Sequence, residues 1–247
     1  MPRFFVEVSY MGTRYSGFQK QKNANSIQGE LEKALQIFYR SSFELTGSSR
    51  TDAGVHALCN YFHFDRDIDF LNVNKDFDKA VYNINAILPG DIVVKRIFQV
   101  KDDAHVRFDA VSREYKYFVY RVKDPFLQDR GYFFPYTIDK TKLDEAAAII
   151  MGYDDFSSFS KKHTQVKTNI CAIYKSEWQL LNNMLVYNVT GNRFLRGMVR
   201  GLTGTMLKVG TGKINIQEFI DIIEGKDATK ADFSVPPQGL FLVSVNF

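Results

Sequence analysis

The order in which hydrophobic periodicities follow one another constrains this chain more than any single motif. Residues 3–10 alternate Phe4, Val6, Val8 and Tyr10 against Arg3, Glu7 and Ser9, which predicts a strand. Residues 26–40 then place Ile27, Leu31, Leu35 and Phe38 on one helical face, with Asn25 or Ser26 able to cap it. Two apolar pieces follow, a short one at Phe43–Leu45 and a longer one over 57–64, both read as strands. Residues 75–88 keep Phe77, Val81, Ile84 and Leu88 in helical register, Pro89-Gly90 ends the run, and 92–100 is a strand. The second half repeats the order. An aromatic strand covers 111–122 and a helix covers 143–151, closed by Gly152. A hairpin over 170–180 and 184–189 turns at Asn182-Asn183. Helices over 194–209 and 216–223 and a closing strand over 240–247 complete it. Each half reads β-α-β-β-α-β, the ferredoxin-like unit. The expected class is α+β, as two tandem ferredoxin-like units with sheets side by side and a central cleft. The boundary falls near 101–110, giving halves of 1–104 and 105–247.

With 247 residues the chain is long enough to bury a core. Aromatics are 15%, with 22 Phe and 13 Tyr, which supplies core and also stacking surfaces for nucleic acid. The formal net charge of +4 favours a polyanionic partner without requiring one. Two cysteines, Cys59 and Cys171, are too far apart in sequence to suggest a disulfide framework or a zinc site. The chain enters a strand pattern directly, without the layout of a signal peptide, and no apolar run approaches membrane-spanning length. A cytoplasmic protein with no membrane attachment is expected.

The loop Thr46–His56 is built of small polar residues, with Gly54 available for a tight bend. Arg50, Asp52 and His56 stand close together on it. Residue types alone favour a plain turn with a capping aspartate, since turns use these residues constantly.

The stretch Arg50-Thr51-Asp52-Ala53-Gly54-Val55-His56-Ala57 resembles the active-site motif of the tRNA pseudouridine synthase A family. The likeness continues in order along nearly the whole chain. It includes Tyr10-x-Gly12-x-x-Tyr15-x-Gly17-Phe18-Gln19-x-Gln21, Ser26-Ile27-Gln28 with Leu31-Glu32-x-Ala34-Leu35, and Asn85-Ala86-x-Leu88-Pro89-x-Asp91-Ile92. It includes also Arg113-x-Tyr115-x-Tyr117, Asp155-Phe156-x-Ser158-Phe159, Phe194-Leu195-x-x-Met198-Val199-Arg200 and Gly239-Leu240-x-Leu242-x-x-Val245. Three departures are visible: Ser49 stands where the family usually has Gly, Ala104 where an aromatic is common, and the segment before Pro236-Pro237 differs.

The resemblance implies an isomerase that converts uridines at positions 38–40 of the tRNA anticodon stem-loop to pseudouridine, with no cofactor and no metal, as a homodimer that holds tRNA. It implies that Asp52 is the catalytic carboxylate and nucleophile. Attack on the anomeric carbon, attack on the base ring and a glycal-type proton removal all stay open. It implies that Arg200 forms an ion pair keeping Asp52 charged, because burial alone would raise a carboxylate's pKa. Tyr115 stacks on the target base or handles a proton, and Leu242 walls the pocket. Read independently, Arg193, Arg196 and Arg200 form a basic stripe on one helix, and Tyr117 and Phe118 are core aromatics of a sheet. Arg50, Arg14, Lys20 and Lys22 are candidate phosphate contacts in the RNA-binding cleft, and affinity resting on them should fall with salt.

Other chemistries lack their signatures. Gly210-Thr211-Gly212-Lys213 is followed by Ile214, and Leu207 stands where a phosphate loop needs Gly. Histidines 56, 63, 105 and 163 show no metalloprotease spacing. His56 and His63 could share a metal in principle, though packing or hydrogen bonding is the ordinary reading. Gly197-x-x-x-Gly201 reads as close helix packing. Two other readings compete: a non-catalytic RNA-binding sheet, and a related synthase acting on another RNA.

Overall fold

The alternation of residues 3–10 becomes β1 (Arg3–Tyr10), the strand on which the first of two compact units is built. The structure, a computed structural model, describes residues 1–67, 76–161 and 167–247. Lys75, the first residue of the expected second helix, and His163 lie outside the described residues. The units are Met1–Val111 with Leu242–Phe247, and Ser112–Phe241.

In the first unit β1 pairs antiparallel with β3 (His56–Asp65) on one side and β4 (Ile92–Val100) on the other. Val6 lies opposite Phe62 and Ile97. A two-residue strand, β2 (Thr46–Gly47), pairs with β3. The expected strand at Phe43–Leu45 is therefore displaced. Phe43 and Leu45 are buried, but the ladder starts only at Thr46. The last strand, β9 (Leu240–Asn246), contributes its residues from Leu242 beside β3.

Two helices cover one face of this sheet. Helix α1 (Ile27–Tyr39) starts at Ser26, whose hydroxyl accepts from the Gly29 amide. Helix α2 (Phe77–Ile87) is capped by Asp76. Ile27, Leu31, Leu35 and Ile84 on the helices and Phe4, Val6, Val8, Phe62 and Phe64 on the strands are all buried. Phe4 stacks on Phe64 with ring centroids 5.4 Å apart. The opposite face is not purely polar: Phe5 is buried there against Phe98 and Phe247. Burying side chains of this size removes about 150–250 Å² each from water, the main driving term.

The second unit is a sheet of β5 (Ser112–Tyr120), β8 (Met184–Gly191) and β7 (Ile173–Leu181), in that order. A two-residue strand, β6 (Tyr132–Phe133), runs parallel to β5. The β7–β8 turn has Asn182 and Asn183 at φ 48° and 63°, as a two-residue type I′ turn requires. Helix α3 (Lys140–Ile150) starts three residues earlier than expected because Asp139 caps it. Tyr117, Tyr187 and Trp178 share the sheet face toward the helices. There Trp178 donates from Nε1 to the Met206 sulfur at 3.5 Å.

Helix α4 (Met198–Gly210) corrects a larger expectation. The apolar period runs back to Phe194, but Gly197 has φ 77° and breaks the helix, so 194–197 are not part of it. Arg193 and Arg196 precede the helix, and the three-arginine stripe does not exist as a helical face. Nor does Gly201 meet a second helix: a side chain there would strike the Phe233 ring of a later loop. Helix α5 (Ile216–Glu224) opens with a full capping box of Asn215 and Glu218. Short strand β6 and helix α5 are additions to the simple β-α-β-β-α-β order.

Candidate active site

The loop from Ser48 to His56 is held from beneath by buried polar side chains, and that accounts for its shape. Ser48, Ser49, Thr51 and His56 are all buried. Asn60 on β3 is the hub. Its Oδ1 accepts from the Ser48 hydroxyl at 2.8 Å, and its Nδ2 donates to the Ser49 carbonyl at 3.0 Å and to the Tyr10 hydroxyl at 3.1 Å. The Tyr10 hydroxyl also pairs with Thr51 Oγ1 at 2.8 Å. One residue of β1 and one of β3 thus fix the chain on the N-terminal side of Asp52.

The other side is fixed by close backbone approach. The Gly12 amide donates to Nδ1 of His56 at 3.1 Å, which places the ring proton of this fully buried imidazole on Nε2. A Cβ at Gly12 would lie 2.0 Å from the Val55 carbonyl oxygen, so only glycine fits. Gly54, at φ 79°, makes the expected tight bend. The Phe18 amide donates to the Thr51 carbonyl at 3.1 Å, and the Val55 amide to the Asp52 carbonyl at 3.2 Å. Asp52 sits half-buried at the top of this frame, between exposed Arg50 and exposed Ala53. The buried Ser49 hydroxyl has no hydrogen-bond partner among the described residues.

Tyr115 lies on β5 in the second unit, half-buried, its ring edge-on to Phe194 at 5.1 Å. The neighbouring aromatics serve the sheet, as expected. Tyr117 is fully buried and donates to the Pro236 carbonyl at 2.6 Å, and Phe118 packs edge-on against Phe241. Burial pushes the Tyr117 hydroxyl well above the usual phenol range. Arg200, in the first turn of α4, donates from Nε and Nη2 to the Val235 carbonyl at 2.9 and 2.7 Å, and from Nη2 to the Phe233 carbonyl at 3.3 Å. Its guanidinium plane is therefore set by the loop that follows α5. Leu242 is fully buried on β9.

The four basic candidates separate into two kinds. Arg14 pairs with Asp91 at 2.6 Å, and Lys20 pairs with Glu32 at 2.8 Å. Lys22 and Arg50 are exposed, with no ion-pair partner among the described residues. Asp91 also accepts from Tyr15 at 2.6 Å. Burial, with help from that carboxylate, pushes the Tyr15 hydroxyl up. Sequence reading did not name Asn60, and named Tyr10 only as a strand residue and as part of a family motif. The available signal was an Asn in an otherwise apolar strand, where an unpaired amide would be costly. No group of His, Cys, Asp or Glu suited to a metal ion occurs among the described residues. No helix there is long and apolar enough to cross a membrane.

Known proteins give this geometry a context. The tRNA pseudouridine synthase family pattern matches residues 7–109 and 146–247. A tRNA pseudouridine synthase A of Bacteroides fragilis is 45% identical over 246 residues, covering 99% of this chain and 96% of its own. That of Porphyromonas gingivalis is 43% identical over 247 residues, covering 99% and 97%. That of Staphylococcus aureus strain N315 is 36% identical over 245 residues, covering 98% and 90%. Likeness of this extent, with the loop of Asp52 inside the matched region, establishes that the chain belongs to the tRNA pseudouridine synthase family.

Proposed function

We propose that this protein isomerises uridines at positions 38–40 of the tRNA anticodon stem-loop to pseudouridine, with Asp52 as the essential catalytic carboxylate and without a cofactor. The reaction breaks the bond from ribose C1′ to uracil N1 and forms one from C1′ to C5. The C5 proton leaves to water and N1 gains one, so no atom is added. The observation that carries the reading is the frame of Tyr10, Thr51, Asn60 and His56, which fixes the backbone on both sides of Asp52. Such preorganisation suits a group that must meet one carbon atom with little freedom. A loop serving only as a turn needs no such frame.

In this reading the halves 1–104 and 105–247 are tandem ferredoxin-like units with sheets side by side, and a cleft between them receives RNA. The first half supplies Asp52, and the second supplies Tyr115 to stack on the base and Arg200 to keep the carboxylate charged. Leu242 closes the pocket. A uridine paired in a stem must be extruded, at a cost of a few kcal/mol that stacking on Tyr115 partly offsets. Lys22 and Arg50 take phosphates, and Arg14 and Lys20 join them by exchanging Asp91 and Glu32 for RNA. The protein works in the cytoplasm as a homodimer.

The test is release of tritium to water from tRNA labelled at uracil C5, followed by mapping of the modified positions. Wild type should release it and Asp52→Asn should not, while both bind tRNA. No release by wild type would favour an RNA-binding protein without catalysis. Modification at other positions would point to a related synthase with another substrate.

A further inference from the structure

The grip on Arg200 is one-sided. Three hydrogen bonds run from Nε and Nη2 to the carbonyls of Val235 and Phe233, and the two N–H groups of Nη1 take no part in them. A planar guanidinium held at one edge is placed only as well as the carbonyls that hold it. Those carbonyls belong to residues 225–236, a stretch without helix or strand. Backbone with no ladder of its own needs other groups to fix it.

Asp232 fixes it from two directions. Its amide donates to Thr205 Oγ1 on α4 at 2.9 Å. That fully buried hydroxyl gives its own proton to the Gly201 carbonyl at 2.7 Å, so toward Asp232 it is an acceptor. The Asp232 carboxylate reaches onward. Its Oδ1 accepts from the Ser234 amide at 2.8 Å, and its Oδ2 lies 3.4 Å from Nζ of Lys208. The bond to Ser234 closes a tight turn across Phe233 and so fixes the peptide whose carbonyl Arg200 uses. The loop is also pressed against the helix, since a Cβ at Gly204 would lie 2.3 Å from the Asp232 carbonyl oxygen. Past Val235 the chain is held again, where Tyr117 donates to the Pro236 carbonyl at 2.6 Å. Arg200 and Thr205 stand on one helix, so the bonds form a closed circuit. It runs from Arg200 to Phe233 and Val235, along the chain to Asp232, and through Thr205 back to α4.

We propose that Asp232 is a positioning residue for the reaction, fixing through the Phe233 and Val235 carbonyls the orientation in which Arg200 acts. No sequence motif points to it, because it stands in the segment before Pro236-Pro237, where the chain departs from the family pattern. The proposal rests on the reading of Arg200 given above, and a double-mutant cycle separates the two.

Single-turnover tritium release at saturating enzyme, with tRNA affinity by filter binding, tests it on the full chain. Asp232→Ala should lower the rate by about tenfold or more while affinity stays within about twofold of wild type. Asp232→Asn keeps an acceptor for the Ser234 amide and gives up only the pair with Lys208, whose side chain is 38% exposed, so most of the rate should return. Thr205→Val removes the acceptor of the Asp232 amide and keeps the shape of the side chain. It should act like Asp232→Ala, which keeps the test open if the alanine variant folds poorly. Added to Arg200→Ala, either substitution should lower the rate no further. A rate unchanged by both substitutions, or losses that multiply with that of Arg200→Ala, would overturn the proposal alone. A wild-type rate in Arg200→Ala would overturn the role of Arg200 and the proposal with it.

Discussion

Nδ1 of His56 and the amide of Gly12, 3.1 Å apart and both buried, tie the chain just after β1 to the chain just after Asp52. His56→Ala should leave the Gly12 donor unpaired, costing about 1–3 kcal/mol on top of the lost packing. His56→Asn places a carbonyl oxygen near the position of Nδ1 and should recover part of the loss. Urea denaturation of both variants measures it, and equal losses would show that the hydrogen bond contributes little.

Tyr10→Phe removes the hydroxyl shared by Thr51 and Asn60 while keeping the ring. The frame beneath Asp52 loosens, but the exposed side chains of the loop are unchanged. We expect kcat for tritium release to fall by about ten- to a hundredfold with KM for tRNA little altered. A rise in KM at constant kcat would mean that the frame serves binding rather than the orientation of Asp52.

Arg200→Ala should lower turnover well beyond its effect on tRNA affinity, by about 10²-fold or more if it acts as the ion pair to Asp52. Arg200→Lys retains charge but loses the planar grip on the Val235 and Phe233 carbonyls, so it should recover little. Filter binding and single-turnover kinetics on the same preparations separate the two effects. Equal losses in each would remove Arg200 from the chemistry.

Ser49→Ala should raise stability by about 1 kcal/mol, because a buried hydroxyl without a partner costs more than the methyl that replaces it. Ser49→Gly, the family's usual residue, gains less because its backbone has more freedom to lose. Thermal midpoints of the three proteins rank these outcomes. An alanine variant less stable than wild type would contradict the prediction.

Burial, reinforced by Arg3 and His105, holds the His63 imidazole down to about 4, below its ordinary 6.5. The unfolded chain therefore takes up a proton in the interval where the folded chain does not. The stability associated with neutral His63 is complete above about pH 7 and declines as pH falls from 6.5 toward 4. Urea midpoints at pH 7.5 and 5.0 should differ more for wild type than for His63→Asn, which retains an acceptor for the Val106 amide. An identical pH dependence in the two proteins would rule out His63 as the source.

Long periodic segments were the most legible part of the fold. β1, α1, α2, β4, β5 and the β7–β8 hairpin stand within a few residues of where the pattern puts them, because burial of one face dictates both pattern and element. What the pattern misses is set by a single residue or by a partner. The apolar period continues through Phe194 and Leu195, so nothing periodic marks the break at Gly197, where one positive φ decides. Strand β2 exists through its pairing with β3, and its own two residues carry no period. Only the resemblance singles out Asp52, since polar residues in a loop look alike. Asn60 and Tyr10 belong to strands and stand 11 and 41 positions from the loop groups they hold, and no local pattern records such a bond.

The frame around Asp52 also has a kinetic meaning. Its bonds join β1, β3 and the intervening loop, so these segments cannot open one at a time. Amide hydrogens of Gly12, Phe18, Ser48 and Val55 should exchange with solvent together, at a rate near that for loss of the β1–β3 ladder, rather than at the faster rates typical of surface loops. A loop of this kind does not act as a lid. Its ordering entropy is lost when the unit folds, before any RNA arrives, and none of the binding energy of the RNA has to be spent on ordering it.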